Sequence, residues 1–267
     1  MTGVERPLSL QIADSIRMRI ESGELQPGDP LPTLSELAER WHCSVGSARA
    51  AVALLRQQGL ITSGRGRPAV VRKAPQRITR DSAGHQQEKD LARAAIEDRK
   101  TTGTVEREIG LPIEQVDFPP PRFDVIAADD GLAAALQVSA GTKVLRRRYE
   151  WRDRDTGALL KSSVSYIPRQ LIARKRDLLD PSKEPWPGGT YHQLSTVGIE
   201  VDRVEELVTA DPATTVEKHD WRLQDGIPML RLRRTLIDTE GRVVEVSDTN
   251  FPADRTSMRW TTQLEPW

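Results

Sequence analysis

The sequence predicts an α+β protein of two domains, a small helical one followed by a larger one built on antiparallel strands. Three observations carry the prediction. At 267 residues the chain is long for one domain. Its formal net charge is zero, yet residues 1–80 hold 12 Lys and Arg against 7 Asp and Glu, and the remainder holds 27 against 32. Finally, apolar residues recur at helical spacing in the first sixty or so positions, whereas strand-like alternation prevails beyond Lys143.

The first domain is expected over residues 1–74. After Pro7-Leu8, the residues Leu10, Ile12, Ile16, Met18 and Ile20 trace a helix that Gly23 stops, and Gln26-Pro27-Gly28-Asp29 is turn chemistry. Thr33 with Glu36 three residues on is a capping box, and Leu34, Leu37, Ala38 and Trp41 form the stripe of the helix it opens. A third helix spans about Ser44 to Gln58. Val45, Ala48, Val52 and Leu55 form its packed face, Ser44, Ser47, Arg49 and Arg56 lie elsewhere, and Gly59 caps it. Leu60-Ile61-Thr62 and Ala69-Val70-Val71 then make a short hairpin around Ser63-Gly64-Arg65-Gly66-Arg67-Pro68.

Three helices and a hairpin of this size predict a winged helix-turn-helix. From Arg40 to Arg80 there are nine Lys and Arg and no Asp or Glu, which is the charge a phosphate backbone attracts. The third helix fits the major groove with its N-terminal residues toward base edges. Gly64 and Gly66 let the hairpin backbone approach the duplex, where Arg65 or Arg67 reaches a phosphate or the minor groove. The alternative is a basic, solvated face on an ordinary three-helix domain.

Several classes are excluded. No apolar run approaches the ~18 residues that span a bilayer, and no signal-peptide core is present, so cytoplasmic residence without a membrane partner is expected. Cys43 is the only cysteine, which forbids an internal disulfide, and His42, His85, His192 and His219 are scattered without ligand spacing. No metal and no cofactor are expected.

A polar stretch at 75–114 reads as a linker or hinge, with a helical portion at Lys89–Lys100, and Phe118-Pro119-Pro120-Pro121-Arg122-Phe123 as an extended spacer. The second domain is expected over 115–267. Asp129–Leu136 is a short helix. Two hairpins share one grammar: Lys143–Arg148, the turn Asp155-Thr156-Gly157 and Ser165-Tyr166-Ile167-Pro168, then Met229–Arg234, the turn Asp238–Gly241 and Thr249-Asn250-Phe251-Pro252. They predict an antiparallel sheet built by internal duplication. Between them fall a helix near Thr190–Ser195, a strand at Ile199–Leu207 and a helix over about Pro212–Leu223.

Strand alternation places Leu145, Arg147, Tyr149 and Trp151 on one face, as it does Lys161, Ser163 and Ser165. It likewise groups Glu245, Ser247, Thr249 and Phe251, and puts Val244 and Val246 together on the opposite face. Periodicity alone leaves two readings of these mixed faces: the solvent side of a sheet, slightly favoured, or the lining of a small-molecule cavity.

Two stretches carry a family resemblance. The run Gly23-Glu24-Leu25-Gln26-Pro27-Gly28-Asp29-Pro30-Leu31-Pro32, with Glu36-Leu37-Ala38, Ser44, Ala48-Arg49, Leu54-Leu55, Gly59-Leu60-Ile61 and Gly64-Arg65-Gly66, strongly resembles GntR-family transcription regulators over about residues 6–73. The resemblance implies DNA contacts from Ser44, Ser47 and Arg49 on the third helix, from Arg65 and Gly66 on the wing, and from Ser35. Two departures stand out. Leu34-Ser35 replaces a frequent acidic-Arg pair, and Ser44-Val45-Gly46-Ser47 replaces a frequent Ser-Arg-Thr-Thr.

Beyond residue 115, Gly-x-x-Val-Leu-Arg, Tyr-Ile-Pro, Gly-Ile, Gly-x-Pro-Met-Leu-x-Leu-x-Arg, Glu-Val-Ser and Pro-Ala-Asp-Arg resemble the UTRA effector domain that marks the HutC subfamily. That resemblance implies a chorismate-lyase-like antiparallel sheet that senses a small metabolite. It also implies effector contacts at Glu245 and Phe251, with Arg147, Tyr149, Ser163 and Ser165 as further members. Phe251 stands where Tyr is more usual.

The expected function is a metabolite-responsive repressor, not an enzyme. A homodimer would bind double-stranded DNA at an inverted-repeat operator, with an effector of unknown identity acting through the hinge. The alternatives are a constitutive DNA-binding or plasmid-maintenance protein whose second domain only dimerises, and a lyase-like enzyme. The second would need activity to follow fold, which it does not.

Overall fold

A computed structural model describes residues 6–62, 68–73, 75, 77–101 and 111–264. The chain divides into two compact units, residues 1–76 with 212–228, and residues 77–211 with 229–267.

In the first unit, α1 (Leu8–Glu21), α2 (Leu34–Arg40) and α3 (Val45–Gln57) precede the two-residue strands β1 (Ile61–Thr62) and β2 (Val70–Val71). The cap of α2 is the one the sequence announces. Thr33 Oγ1 accepts from the Glu36 amide at 3.2 Å, and Glu36 returns a carboxylate oxygen to the Thr33 amide at 2.7 Å. Ser44 Oγ accepts the Ser47 amide at 3.1 Å. Between α2 and α3, His42 takes a left-handed φ of 47°, the sharp turn that separates the helices.

Ile12, Ile16, Leu37, Ala48, Ala51, Leu55, Ile61 and Val71 fill one core. The packed face of α3 is rotated from the expected one. Ala51 is buried and Val52 half-buried, whereas Val45 is 43% exposed. Val45 is the first residue of α3, where the helix has only begun to lie on its neighbours. The segment that joins the unit from later in the chain carries α9 (Thr215–Asp220), closed by a second capping box from Thr214 and Glu217.

In the second unit, the segment expected as a linker carries β3 (Ile78–Asp81), α4 (Gly84–Ala92) and α5 (Ile96–Thr101). Next come β4 (Val116–Asp117), β5 (Arg122–Ala127), α6 (Asp130–Leu136), β6 (Lys143–Asp153) and β7 (Leu159–Pro168). Then follow α7 (Arg169–Ile172), α8 (Gly189–Ser195), β8 (Val201–Pro212), β9 (Pro228–Asp238), β10 (Val243–Pro252) and β11 (Thr256–Arg259).

The sheet runs β4-β6-β7-β10-β9-β8, with β5 also paired to β6. The hairpins β6–β7 and β9–β10 therefore meet at their return strands. Arg147 pairs with Ser165, Ser165 with Ser247, and Ser247 with Arg234, so four side chains form one row across four strands. Tyr149, Ser163, Thr249 and Leu232 form the next.

A β-bulge between Val243 and Glu245 changes one expected face. Val244 packs with Leu145, Ile167 and Leu236, while Val246 packs with Val144 and Ile237 in a separate cluster, so the two valines do not share a side. The extra residue of a bulge turns two successive side chains the same way. Away from this sheet, β3 pairs in parallel with β11, from Ile78↔Thr256 to Arg259↔Asp81, across more than 170 residues of sequence.

Candidate DNA-contact and effector sites

The basic face of the first unit is the exposed start of α3. Ser44, Val45, Gly46 and Arg49 are exposed and Ser47 is half-buried. The Ser44 and Ser47 hydroxyls lie 3.0 Å apart, and Ser44 also caps the helix, so its oxygen is partly engaged within the chain. With no acid in the first turn, the free amides there favour an anion. Ser35, on the first turn of α2, is exposed as well. Arg65 and Gly66 lie outside the described residues. Val45 was assigned to the packed face, and its exposure adds an apolar side chain to this surface.

On the sheet face of the second unit the mixed residues turn inward. Arg147 is 2% exposed and Glu245 is 1% exposed, and Ser165, Ser247, Thr249 and Lys161 are buried too. The solvent-face reading is thereby corrected: α8 and the segment before it add Tyr191, Gln193, Leu194 and Trp186 to that side.

Arg147 donates from Nε to Ser165 Oγ at 2.8 Å, from Nη1 to Gln193 Oε1 at 2.5 Å and from Nη2 to Glu245 Oε1 at 2.8 Å. Gln193 Nε2 donates onward to Glu184 Oε1 at 2.8 Å, and the Tyr149 hydroxyl donates to the same oxygen at 3.0 Å. The other Glu184 oxygen accepts the Trp186 amide at 2.8 Å. Burial pushes the Tyr149 phenol far above its ordinary value against the pull of Arg147, with Glu184 reinforcing the rise. Tyr149 therefore stays protonated and remains a donor. Glu245 Oε2 is buried with no hydrogen-bond partner. Such an oxygen is costly unless a donor reaches it.

Of the expected effector residues, Arg147, Ser165 and Glu245 thus meet directly, and Tyr149 joins them through Glu184 and Gln193. Ser163 bonds Thr249 at 3.0 Å in the neighbouring row. Phe251 is buried, and the Arg80 guanidinium lies 4.7 Å from its ring centroid. Tyr149 stacks on Trp151 at 6.0 Å and meets Phe123 edge-on at 6.2 Å.

A cavity of about 360 Å³ lies in the same unit. Its walls are β3 and the start of α4 (Arg80, Asp81, His85, Glu88), Glu206 of β8, Leu232 and Arg234 of β9, and Met258 to Trp260 at the end of β11. Glu206 receives His85 Nε2 at 3.0 Å and the Trp260 indole at 3.3 Å. Its carboxyl is held below its ordinary value, chiefly by the His85 hydrogen bond, against burial that pushes it up. The Tyr191 hydroxyl lies 3.5 Å from His85 Nδ1 and is itself pushed up by burial.

None of the cavity residues was anticipated. Arg234 was readable in principle, because it ends the second copy of the repeated Leu-x-x-Arg-rich strand. Arg80 was not, because nothing local pairs β3 with β11. Gln193 and Glu184 likewise carried no signal.

Comparison with known proteins agrees with this division. Residues 8–71 match the family described as bacterial regulatory proteins, gntR family, and residues 121–257 match the UTRA domain. The repressor MngR of Escherichia coli, named for a mannosyl-D-glycerate transport/metabolism system, is 28% identical over 253 residues, 93% of each chain. The HTH-type transcriptional repressor NagR of Bacillus subtilis is 25% identical over 253 residues, 93% of this chain and 92% of that one. A crystal structure described as that of a GntR-family transcriptional regulator shares the fold, with a TM-score of 0.69 at 24% identity over 97% of this chain and 99% of the other. Among the described residues no helix is long and apolar enough to cross a membrane.

Proposed function

We infer, for a chain that belongs to the gntR family of bacterial regulatory proteins and carries a UTRA domain, a repressor that releases its operator when a metabolite binds the second unit. That it is a DNA-binding, metabolite-responsive regulator follows from the family. The finer reading is ours: a homodimer sets two copies of α3 into half-sites of an inverted repeat, as two-fold symmetry in the protein requires of its operator.

The observation that carries this reading is the exposed, acid-free start of α3. Arg49 supplies a charged donor there, Ser44 and Gly46 are small enough to admit the helix to the groove, and Val45 offers an apolar contact. An Arg at that position would seek guanine, whereas a valine suits a thymine methyl. Operators richer in thymine at the corresponding base are therefore expected.

In the second unit, the effector site we propose is the sheet face that holds Arg147, Tyr149, Ser163, Ser165, Glu245 and Phe251. The buried Arg147–Glu245 pair and the partnerless Glu245 oxygen support it. Coupling runs both ways: whatever factor the effector takes from DNA affinity, DNA takes from effector affinity. We read the chain as a regulator without catalytic activity.

The test is capture of genomic fragments by the purified protein, followed by fluorescence anisotropy on the recovered sequence. Saturable binding to one inverted repeat, weakened by a metabolite that also raises the melting temperature, is the expected outcome. Binding equal to that of random duplex, or insensitive to every metabolite that stabilises the protein, sinks the reading.

A further inference from the structure

We propose that residues 213–227 are a clamp by which strands β8 and β9 hold the C-terminal end of α3. The inference rests on the reading of the chain as a two-headed operator-binding regulator and names how the second unit acts on the recognition helix. β8 ends at Pro212 and β9 begins at Pro228, and the two strands are neighbours in the sheet. A connection between neighbouring strands needs only a few residues. This one is far longer, and it belongs to the first unit.

The segment is stiff and shaped for the contact it makes. A proline stands at each boundary and fixes the backbone there. α9 is closed by its capping box, Lys218 pairs with Asp225 at 3.2 Å, and the Leu223 amide donates to the Lys218 carbonyl at 2.9 Å. Trp221, Leu223 and Ile227 are buried. Gly226, at a φ of 78°, lies against the last residue of α3, where an added Cβ would overlap the Gln57 carbonyl oxygen. A Cβ at Gly59 would in turn fall 2.6 Å from Ile227 Cδ1. Glycine on both sides allows so close an approach.

The place of the contact gives its role. Gly59 lies between α3 and β1, so Ile227 touches the joint between the recognition helix and the hairpin. The DNA-facing start at Ser44 is at the other end of α3, about 20 Å away along a helix of 13 residues. The clamp therefore leaves the exposed residues there clear and fixes only how α3 is held. On the strand side, Phe251 of the proposed effector face pairs with Leu230, and Pro252 with Met229. A shift of β10 thus reaches Gly59 through the short run Ile227-Pro228-Met229-Leu230. A head set in advance spares the cost of orienting it on the operator, so the clamped state binds both half-sites well and release of the clamp weakens that binding.

Hydrogen exchange of the full-length wild type in increasing urea is the first test. Residues 54–61 and 213–227 should be protected alike and should open with the same urea dependence, as one cooperative unit does. Exchange of 213–227 as a free loop, or together with β8 and β9 instead of α3, overturns the proposal. The second test compares Gly226→Ala and Ile227→Ala with Gly157→Ala, a control at a φ of 71° where an added Cβ meets nothing within 4 Å. Both clamp variants should speed exchange across 54–61 about tenfold and weaken binding to the inverted repeat recovered by genomic capture about tenfold, with less than about a twofold change on a duplex carrying one half-site.

The control should change none of these. Equal losses on one and two half-sites would show a damaged head, and unchanged operator affinity in both clamp variants would show a contact without influence on α3. Either result overturns the proposal. Circular dichroism melting checks folding, and if both clamp variants are unfolded the wild-type exchange decides. A wild type that binds no inverted repeat would defeat the repressor reading, while its exchange would still judge the clamp.

Discussion

Replacing Arg147 with methionine removes the cation from the buried network and leaves most of its volume. Three partners lose a donor at once: Ser165 Oγ, Gln193 Oε1 and Glu245 Oε1. Each charge-assisted bond is worth roughly 1.5–3 kcal/mol in isolation, but the three share one group and do not add. The larger effect is the carboxylate left behind. With Arg147 and Glu245 only 2% and 1% exposed, Glu245 cannot recover water, and breaking a buried pair of this kind costs roughly 3–5 kcal/mol.

For a domain of this size that corresponds to a melting temperature lower by roughly 6–20 °C. Glu245→Gln keeps an acceptor for Arg147 and should cost roughly 1–3 kcal/mol. The double change Arg147→Met with Glu245→Leu removes both charges and should regain most of the loss, because an apolar replacement of a buried pair is often neutral. Urea unfolding followed by tryptophan fluorescence measures all three, since Trp151 and Trp186 lie beside the network. A methionine variant within about 1 kcal/mol of wild type, or a double variant as costly as the sum of its singles, would refute the reasoning.

Other outcomes follow from the same structure. Arg49→Ala should weaken operator binding by about 1–3 kcal/mol and reduce its salt dependence, and an unchanged anisotropy titration would remove Arg49 from the interface. Thr33→Ala removes the hydroxyl that accepts the Glu36 amide but keeps the backbone amide that donates to the Glu36 carboxylate, and should lower stability by about 1 kcal/mol, read from the denaturant midpoint. Glu206 is held below its ordinary value by His85, so its contribution is fully present above the unfolded carboxylate range and is lost as pH falls through the folded value. Glu206→Gln should therefore flatten the acid side of the stability profile, and a profile as steep as wild type below pH 5 would show that the pair contributes nothing there.

What the sequence made legible depended on how local the cause was. The capping box at Thr33 and the turn glycines each act within a few residues, and the helix starts and hairpins agree with them. Alternation grouped the faces of β6, β7 and β10 correctly except at the bulge, where one inserted residue moved Val244 to the other side. Periodicity says which side chains share a face but not what covers it. Gln193 and Glu184, which close the Arg147 network, come from the segment between the hairpins and leave no trace in the strand pattern. The same limit hid the cavity, since the pairing of β3 with β11 is set by long-range packing.

The duplication itself explains how one sheet holds both a fixed network and a candidate binding surface. Joining two equivalent hairpins at their return strands puts Ser165 beside Ser247 at the centre and an arginine at each end of the row. Two unmodified copies would bury both guanidiniums with equal need for an acceptor. This chain resolves the two ends differently. On the β6 side, Glu245, Gln193 and Ser165 satisfy Arg147 and fix the sheet to α8. On the β9 side, Arg234 lines a cavity whose other walls include β3 and the end of β11.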